Sequence, residues 1–266
     1  MVRIVAIENL GNPAVADYVR LRDVNLRKLL ETERGIYIAE GEKVIRRALA
    51  AGHRPRSFLL TQRWLDDLTD VVENLEAEVF VATEDLIETI TGFHVHRGAL
   101  GAFERPLPLS LEQLLNTASK IFVIEDVTDH ANVGAIFRNG AGLGFDAIVL
   151  APRAADPFYR RAIKVSMGAV FALPFARVED WQGLPELLKA KGFTSIALCL
   201  DNDAVDFENI SPTGKIAVLL GSEGHGLSNH WLGGADIKAK IEMQNEIDSL
   251  NVAATSAIAA WHLRNY

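Results

Sequence analysis

Glu223 stands between glycines in the run "LLGSEGHGLS" (Leu219 to Ser228), directly after the apolar stretch "IAVLLG". Glycine reaches backbone conformations that other residues avoid and lets a ligand touch the main chain. Gly221, Ser222 and Gly224 would therefore present N–H and C=O groups to a flat or polar ligand, with Glu223 at the rim. The loop is not a phosphate-binding P-loop, because no Gly-Lys-Ser/Thr follows. The chain also has no Gly-x-Gly-x-x-Gly run for a dinucleotide. A sharp turn alone would ask for the same glycines.

Two further patches combine with this one. In "EDVTDHANVGAIFRNG", Asn132 is placed to cap a helix by accepting one of its unpaired N–H groups. Arg138, six residues later, lies in otherwise small and apolar sequence, where a guanidinium requires an anion or several acceptors. In "IEMQNEIDSLNVAATSAIAA", Ser249 and Asn251 bracket Leu250 ahead of an alanine-rich helix that either polar residue could cap. Ala253, Ala254 and Ala257 would let another helix approach closely, from the same chain or from a partner subunit.

These patches must be held by regular elements. From Ser119 onward the sequence alternates strand and helix signals. "KIFVIED", "AIVLA", "TSIALCL", "KIAVLLG" and "KAKIEM" read as strands. "NVGAIFRNGAGLGF", "LPELLKAKGF" and "NVAATSAIAAWHLRNY" read as helices, and "DPFYRRAIKVSMGAVFALPF" as a helix running into a strand. The first hundred residues read as a smaller α/β unit. It has a helix over 15–30, a strand "GIYIAEG", a helix "EKVIRRALAAG" closed by Gly52, strands "SFLLT" and "EVFVAT", and helices "RWLDDLTDVVENL" and "EDLIETITG". Such alternation predicts mostly parallel sheets covered on both faces. The fold class is α/β, with an N-terminal domain over 1–105, a proline-bearing linker over 106–118 and a second domain over 119–266. In open sheets of this kind, ligands bind beyond the carboxyl ends of the strands.

Composition narrows the function class. The chain has 266 residues, 49% hydrophobic and 23% charged, with a formal net charge of −8, which argues against binding nucleic acid by bulk charge. Charge is nevertheless localised. Residues 43–63 carry six cations (Lys43, Arg46, Arg47, Arg54, Arg56, Arg63) with His53 and no acid, whereas 66–88 carry nine acids and no cation. Arg153, Arg160, Arg161 and Lys164 form a second basic cluster. Solvated charge runs are common, but two such clusters in an acidic protein suit a localised polyanion footprint. No apolar run is long enough for a bilayer and no signal-peptide pattern opens the sequence. The lone Cys199, in "IALCL", reads as a buried small hydrophobe. It leaves no internal disulfide or cysteine-based metal cluster, so the expectation is a cytoplasmic protein without a metal.

Taken in order, Asn-x5-Arg, Gly-Ser-Glu-Gly-x-Gly-Leu and Ile-x-Met-x5-Ser-Leu-Asn-Val-Ala closely resemble the three motifs of the SpoU (TrmH) family of RNA ribose 2′-O-methyltransferases, within the SPOUT superfamily. The resemblance runs from about Ile121 to the C-terminus and includes "ADPFYRRAIKVSMGAVFALPF". The N-terminal domain is similar to the small RNA-binding domain that many family members carry. Two positions depart from the usual pattern: Glu242 stands where the third motif has proline, and Asn245 where it has glycine. The resemblance implies a C-terminal trefoil-knot domain and S-adenosyl-L-methionine as cofactor. It also implies a homodimer, and transfer of a methyl group to a ribose 2′-hydroxyl of ribosomal RNA, large subunit favoured, or of tRNA.

Residue by residue, it implies catalytic roles for Arg138, Asn132, Glu223, Ser249 and Asn251. Cofactor contacts would come from Gly221, Ser222, Gly224, Ile241, Met243, Leu250 and Asn251. RNA contacts are expected from Arg46, Arg47, Arg54, Arg56, Arg153, Arg160 and Arg161. The family's arginine is proposed to act as a base. A free guanidinium has a pKa above about 12, which favours a cation that binds phosphate and stabilises the emerging alkoxide. Competing readings are a catalytically silent RNA-binding relative, a nucleotide-binding α/β regulator and a base methyltransferase.

Overall fold

The computed structural model describes residues 3–23, 31–95, 98–245 and 247–266. The end of the expected first helix (24–30), His96, Arg97 and Glu246 lie outside the described residues. The chain divides into two compact units. One comprises the residues up to Pro106 with Phe158–Phe171, and the other Leu107–Pro157 with Ala172–Tyr266. The expected boundary near 106 therefore separates only part of the chain. The segment 158–171, expected in the second domain, returns to the first unit.

In the first unit, strands β1 (Arg3–Ala6), β2 (Ile36–Glu40), β3 (Pro55–Leu60), β4 (Glu78–Val81) and β5 (Ala99–Glu104) form a sheet in the order β1-β4-β3-β5-β2. β4 is parallel to β1 and β3, but β5 runs antiparallel to both β3 and β2, so the sheet is mixed rather than mostly parallel. Gly98, with φ +49°, turns the chain into β5, and its carbonyl accepts from Thr61 N–H. Helices α1 (Glu42–Ala50), α2 (Gln62–Val72) and α3 (Glu84–Thr91) alternate with the strands. Gly52 lies just past α1 at φ +78°, where a helix end favours a left-handed residue. The helix expected over 15–30 is replaced in its described part by a 3-10 turn over Pro13–Tyr18. Val19 is extended, Arg20 has φ +51°, and Arg20 and Leu21 donate their N–H groups to the carbonyls of Ile90 and Thr91.

Helix α6 (Arg160–Ser166) belongs to this unit because of a buried carboxylate. Glu40, at the end of β2, accepts from Arg160 at 2.8 Å and Lys164 at 2.7 Å, and its side chain is only 6% exposed. Arg160 also lies over the Phe93 ring, 4.4 Å from its centroid.

The second unit contains a parallel sheet of order β10-β12-β9-β11-β6-β7-β8. Its strands are β6 (Lys120–Ile124), β7 (Ala147–Leu150), β8 (Phe175–Arg177), β9 (Phe193–Leu198), β10 (Val205–Asp206), β11 (Lys215–Leu220) and β12 (Ile237–Lys240). Neighbouring strands are parallel throughout this sheet. Central strands β6 and β11 are buried along nearly their whole length, as an apolar Ile/Val/Leu run between two helical layers must be. The remaining helices are α4 (Leu111–Thr117), α5 (His130–Gly142), α7 (Leu184–Ala190), α8 (Asn229–Gly234) and α9 (Val252–Leu263). α4 lies inside the expected linker, where Ser110 caps it through the Gln113 N–H. No helix among the described residues is long and apolar enough to cross a membrane.

Candidate functional site

A parallel sheet places the carboxyl ends of its strands on one edge, so the loops after β6, β9, β11 and β12 gather there. The loop after β11 is a tight reversal. Ser222 N–H donates to Gly226 C=O at 3.1 Å and Gly226 N–H to Ser222 C=O at 2.9 Å. A Cβ on Gly221 would fall 2.2 Å from the Gly226 carbonyl carbon and 2.4 Å from the Leu227 nitrogen. Glycine at 221 is thus required by the loop's own backbone, beyond any access it gives a ligand.

A carboxylate from the neighbouring strand fastens this loop. Glu125, buried at the end of β6, accepts Ser228 N–H at 2.7 Å, Ser228 O–H at 2.8 Å and the Trp181 indole N–H at 3.0 Å. The sequence signal was present in "KIFVIED", an acid ending an apolar strand, but its partners lie 56 and 103 residues away.

Glu223 projects from the fastened loop and gathers the other two motifs. Its Oε1 accepts from the Asn132 and Asn251 amide groups, the latter at 2.8 Å, and Asn251 Nδ2 also donates to Asn132 Oδ1 at 3.2 Å. Hydrogen bonds to an ionised carboxylate are each worth about 1.5–3 kcal/mol when sheltered and less when exposed, as here. Asn251 also caps α9, accepting from Ala253 N–H at 2.8 Å. Asn132 is not the cap of α5. Asp129 takes that place, accepting from the N–H groups of Ala131 and Asn132, and Asn132 is freed to face Glu223. An aspartate three residues ahead of the helical pattern was the available cue.

Arg138 is exposed on α5 and makes no hydrogen bond or ion pair among the described residues. The next residue, Asn139, ties α5 to α9 by donating to Ala253 C=O at 2.8 Å and to Ser256 Oγ at 2.9 Å. The helix is thereby anchored while its guanidinium stays unengaged.

Beside this polar cluster is a cavity of about 820 Å³, lined by the loops after β9, β11 and β12 and the start of α9. Gly221, Ser222, Gly224, Ile241, Met243, Leu250 and Asn251 all line it, as do Glu223 and Ser249. Cys199 lines it too and is half-buried, correcting the expectation of a core thiol. Glu242 is exposed between cavity-lining Ile241 and Met243, so an acid replaces proline there without entering the cavity. Asn245 adopts φ +57°, a left-handed conformation that asparagine tolerates better than most residues and that suits a glycine position. Asp201, at the cavity edge, is held below the usual carboxylate range by its hydrogen bond from Lys238 at 2.8 Å.

The cations expected to meet RNA differ in availability. Arg46 is paired with Glu42 at 2.8 Å and Asp70 at 2.6 Å, and Arg47 donates to Met167 C=O. Arg54 is 3.6 Å from Glu104, and Arg56 is 3.3 Å from Asp17. Arg153 pairs with Asp126 while remaining 81% exposed, Arg161 is exposed, and Arg160 is engaged by Glu40 and Phe93. Lys43 and Arg63 are exposed.

Residues 119–261 match the SpoU rRNA Methylase family. An uncharacterized tRNA/rRNA methyltransferase of Mycobacterium tuberculosis is 38% identical over 93% of this chain and 87% of its own length. The Bacillus subtilis 23S rRNA (guanosine(2553)-2′-O)-methyltransferase RlmP is 27% identical over 97% of this chain and 98% of its own. Among solved structures, an AdoMet-bound rRNA methyltransferase from Sinorhizobium meliloti superposes with a TM-score of 0.86 at 25% identity, covering 98% of each chain.

Proposed function

Because the chain belongs to the SpoU rRNA Methylase family, we propose that it transfers a methyl group from S-adenosyl-L-methionine to a ribose 2′-hydroxyl of RNA. The observation that carries this reading is the meeting of Asn132, Glu223 and Asn251 at the rim of the cavity lined by Gly221, Ile241, Met243 and Leu250. The cavity suits the cofactor. It offers main-chain groups of the reversed loop, apolar walls from Ile241, Met243 and Leu250, and a carboxylate, Asp201, at its edge. Its volume lies within the usual range for small-molecule sites.

When bound, the cofactor supplies a methyl group already activated by its sulfonium charge. The protein's task is then mainly position. Glu223 fixes the two amides, Ser249 adds a hydroxyl that is free within the described residues, and Arg138 supplies the unengaged cation. As a guanidinium it binds the target phosphate and stabilises the developing alkoxide, and the proton leaves to phosphate or water.

The substrate is ribosomal RNA, with the large subunit favoured over tRNA. This is supported by the full-length likeness to a relative named for 23S rRNA. The first unit recruits RNA through Lys43, Arg47, Arg54, Arg56 and Arg63, with Arg153 and Arg161 as further contacts and Arg46 and Arg160 serving mainly internal pairs. The working form is a homodimer built on α9, whose apolar surface leaves Ile258 39% and Trp261 58% exposed. A knotted C-terminal segment and a cytoplasmic location complete the reading.

The test is heat denaturation with added ligands. S-adenosylhomocysteine raises the melting temperature by mass action, whereas ATP and NAD do not. Stabilisation by ATP or NAD alone rejects the reading in favour of a nucleotide-binding regulator.

A further inference from the structure

The loop after β11 is a wall with two faces. On one side is the 820 Å³ cavity. On the other, the loops after β6, β7 and β8 enclose a second cavity of about 1020 Å³. Residues Ser222–Gly226 border both. The wall therefore divides the carboxyl edge of one sheet into two chambers, with Glu223 on the ridge between them.

We propose that the second cavity receives the base of the target nucleotide, making Arg153, Gln182 and His230 positioning or specificity residues for methyl transfer. The geometry of a nucleotide supports this. C2′ of ribose is bonded to C1′, which carries the base, so a hydroxyl presented at the Glu223 ridge puts its base immediately beside it. If the methyl donor occupies one chamber, the base must enter the other or remain in solvent.

The lining suits a flat heteroaromatic group. Trp181 offers an indole held in orientation by its hydrogen bond to Glu125 and by edge contact with Trp231, with centroids 5.5 Å apart at 71°. Arg153 and Gln182 offer planar groups that can stack on a base or bond its edge. His230 borders the cavity, and its buried Nε2 has no hydrogen-bond partner among the described residues, an uncommon state.

The support beneath this chamber is rigid. Arg177 on β8 donates to the carbonyls of Ala151, Pro152 and Ala154 at 2.8–3.1 Å, bracing the loop that carries Arg153. Burial lowers the Arg177 pKa from its usual value, yet the guanidinium stays a cation. Asp126, which pairs with Arg153, has φ +52°, a strained conformation that proteins tend to keep where function needs it.

This inference rests on the methyl-transfer reading. Its test compares wild type with Arg153→Ala, Gln182→Ala and His230→Ala, using total RNA from a strain lacking the protein and tritiated S-adenosylmethionine. The expected result is an RNA KM raised roughly tenfold or more with kcat less affected. S-adenosylhomocysteine affinity and melting temperature stay those of wild type. Each nucleoside 5′-monophosphate is also tried as an inhibitor. At least one competes with RNA and none with S-adenosylmethionine, and the best inhibitor names the preferred base. The proposal is overturned if the variants keep the wild-type KM, if they lose S-adenosylhomocysteine affinity in proportion to activity, or if the monophosphates compete with S-adenosylmethionine. Failure of wild type to label any RNA would instead sink the activity assignment together with this inference.

Discussion

The paired arginines of the first unit and Arg138 of the second are used in opposite ways. In the first, cations meet the protein's own acids: Arg46 with Glu42 and Asp70, Arg56 with Asp17, Arg160 with Glu40. In the second, Arg138 is held on a well-anchored helix and paired with nothing among the described residues. A guanidinium engaged at home stabilises the fold, whereas one left unengaged and exposed is available to substrate. Removing them should therefore produce different failures.

The largest effect is expected at Arg138. Arg138→Ala should lower methyl transfer by about 10³-fold, roughly 4 kcal/mol of transition-state stabilisation. Melting temperature and S-adenosylhomocysteine affinity should stay unchanged, since no internal contact is lost. A stability loss as large as the activity loss would erase the contrast. Gly221→Ala comes next. The added Cβ meets the Gly226 backbone, so the loop must move, at a cost of about 1–3 kcal/mol. Calorimetry should show cofactor affinity reduced at least about tenfold, and unchanged affinity would refute the tight reversal.

Glu40→Gln tests the other side of the contrast. It leaves Arg160, 19% exposed, and the half-exposed Lys164 without their carboxylate. Because both cations retain some water, the expected loss is roughly 1–3 kcal/mol rather than the full penalty of a buried unpaired charge. Chemical denaturation should report it while S-adenosylhomocysteine affinity is unaltered.

The smallest effect is one of pH. His53 bonds the Tyr37 hydroxyl at 2.7 Å, and burial lowers its pKa from the usual 6.5. The native state thus disfavours the protonated ring. Its contribution is complete above about pH 6.5 and declines as pH falls toward the lowered native value. Melting of the wild type should drop more on acidification than melting of His53→Gln. An equal drop would remove His53 from the account.

Local patterns made much of this legible in the sequence. The buried runs of β6 and β11, the left-handed Gly52 and the three ordered motifs all depend on neighbours a few residues apart. The sequence order brought Asn132, Glu223 and Asn251 into view, and their hydrogen bonds join them in space. The misses are contacts between distant positions. Nothing near Glu40 announces Arg160 or Lys164, 120 and 124 residues on, so the return of 158–171 to the first unit was hidden. The roles of Glu125 and Arg177 are hidden for the same reason: each organises loops it is not adjacent to. β5, not among the strands expected from the sequence, runs antiparallel to β2 and β3 although α3 precedes it, which makes the sheet mixed. The expected linker concealed α4, although Ser110 was a readable cap.

The account's central claim is that the ridge of Glu223, Asn132 and Asn251, together with Arg138 of α5, directs a methyl group to a sugar oxygen. Mapping the label after transfer from tritiated S-adenosylmethionine to RNA tests it most directly. The predicted product carries tritium on a ribose 2′-oxygen, so its phosphodiester linkage resists alkali. Label on a base, or none transferred by folded protein that binds S-adenosylhomocysteine, would contradict it.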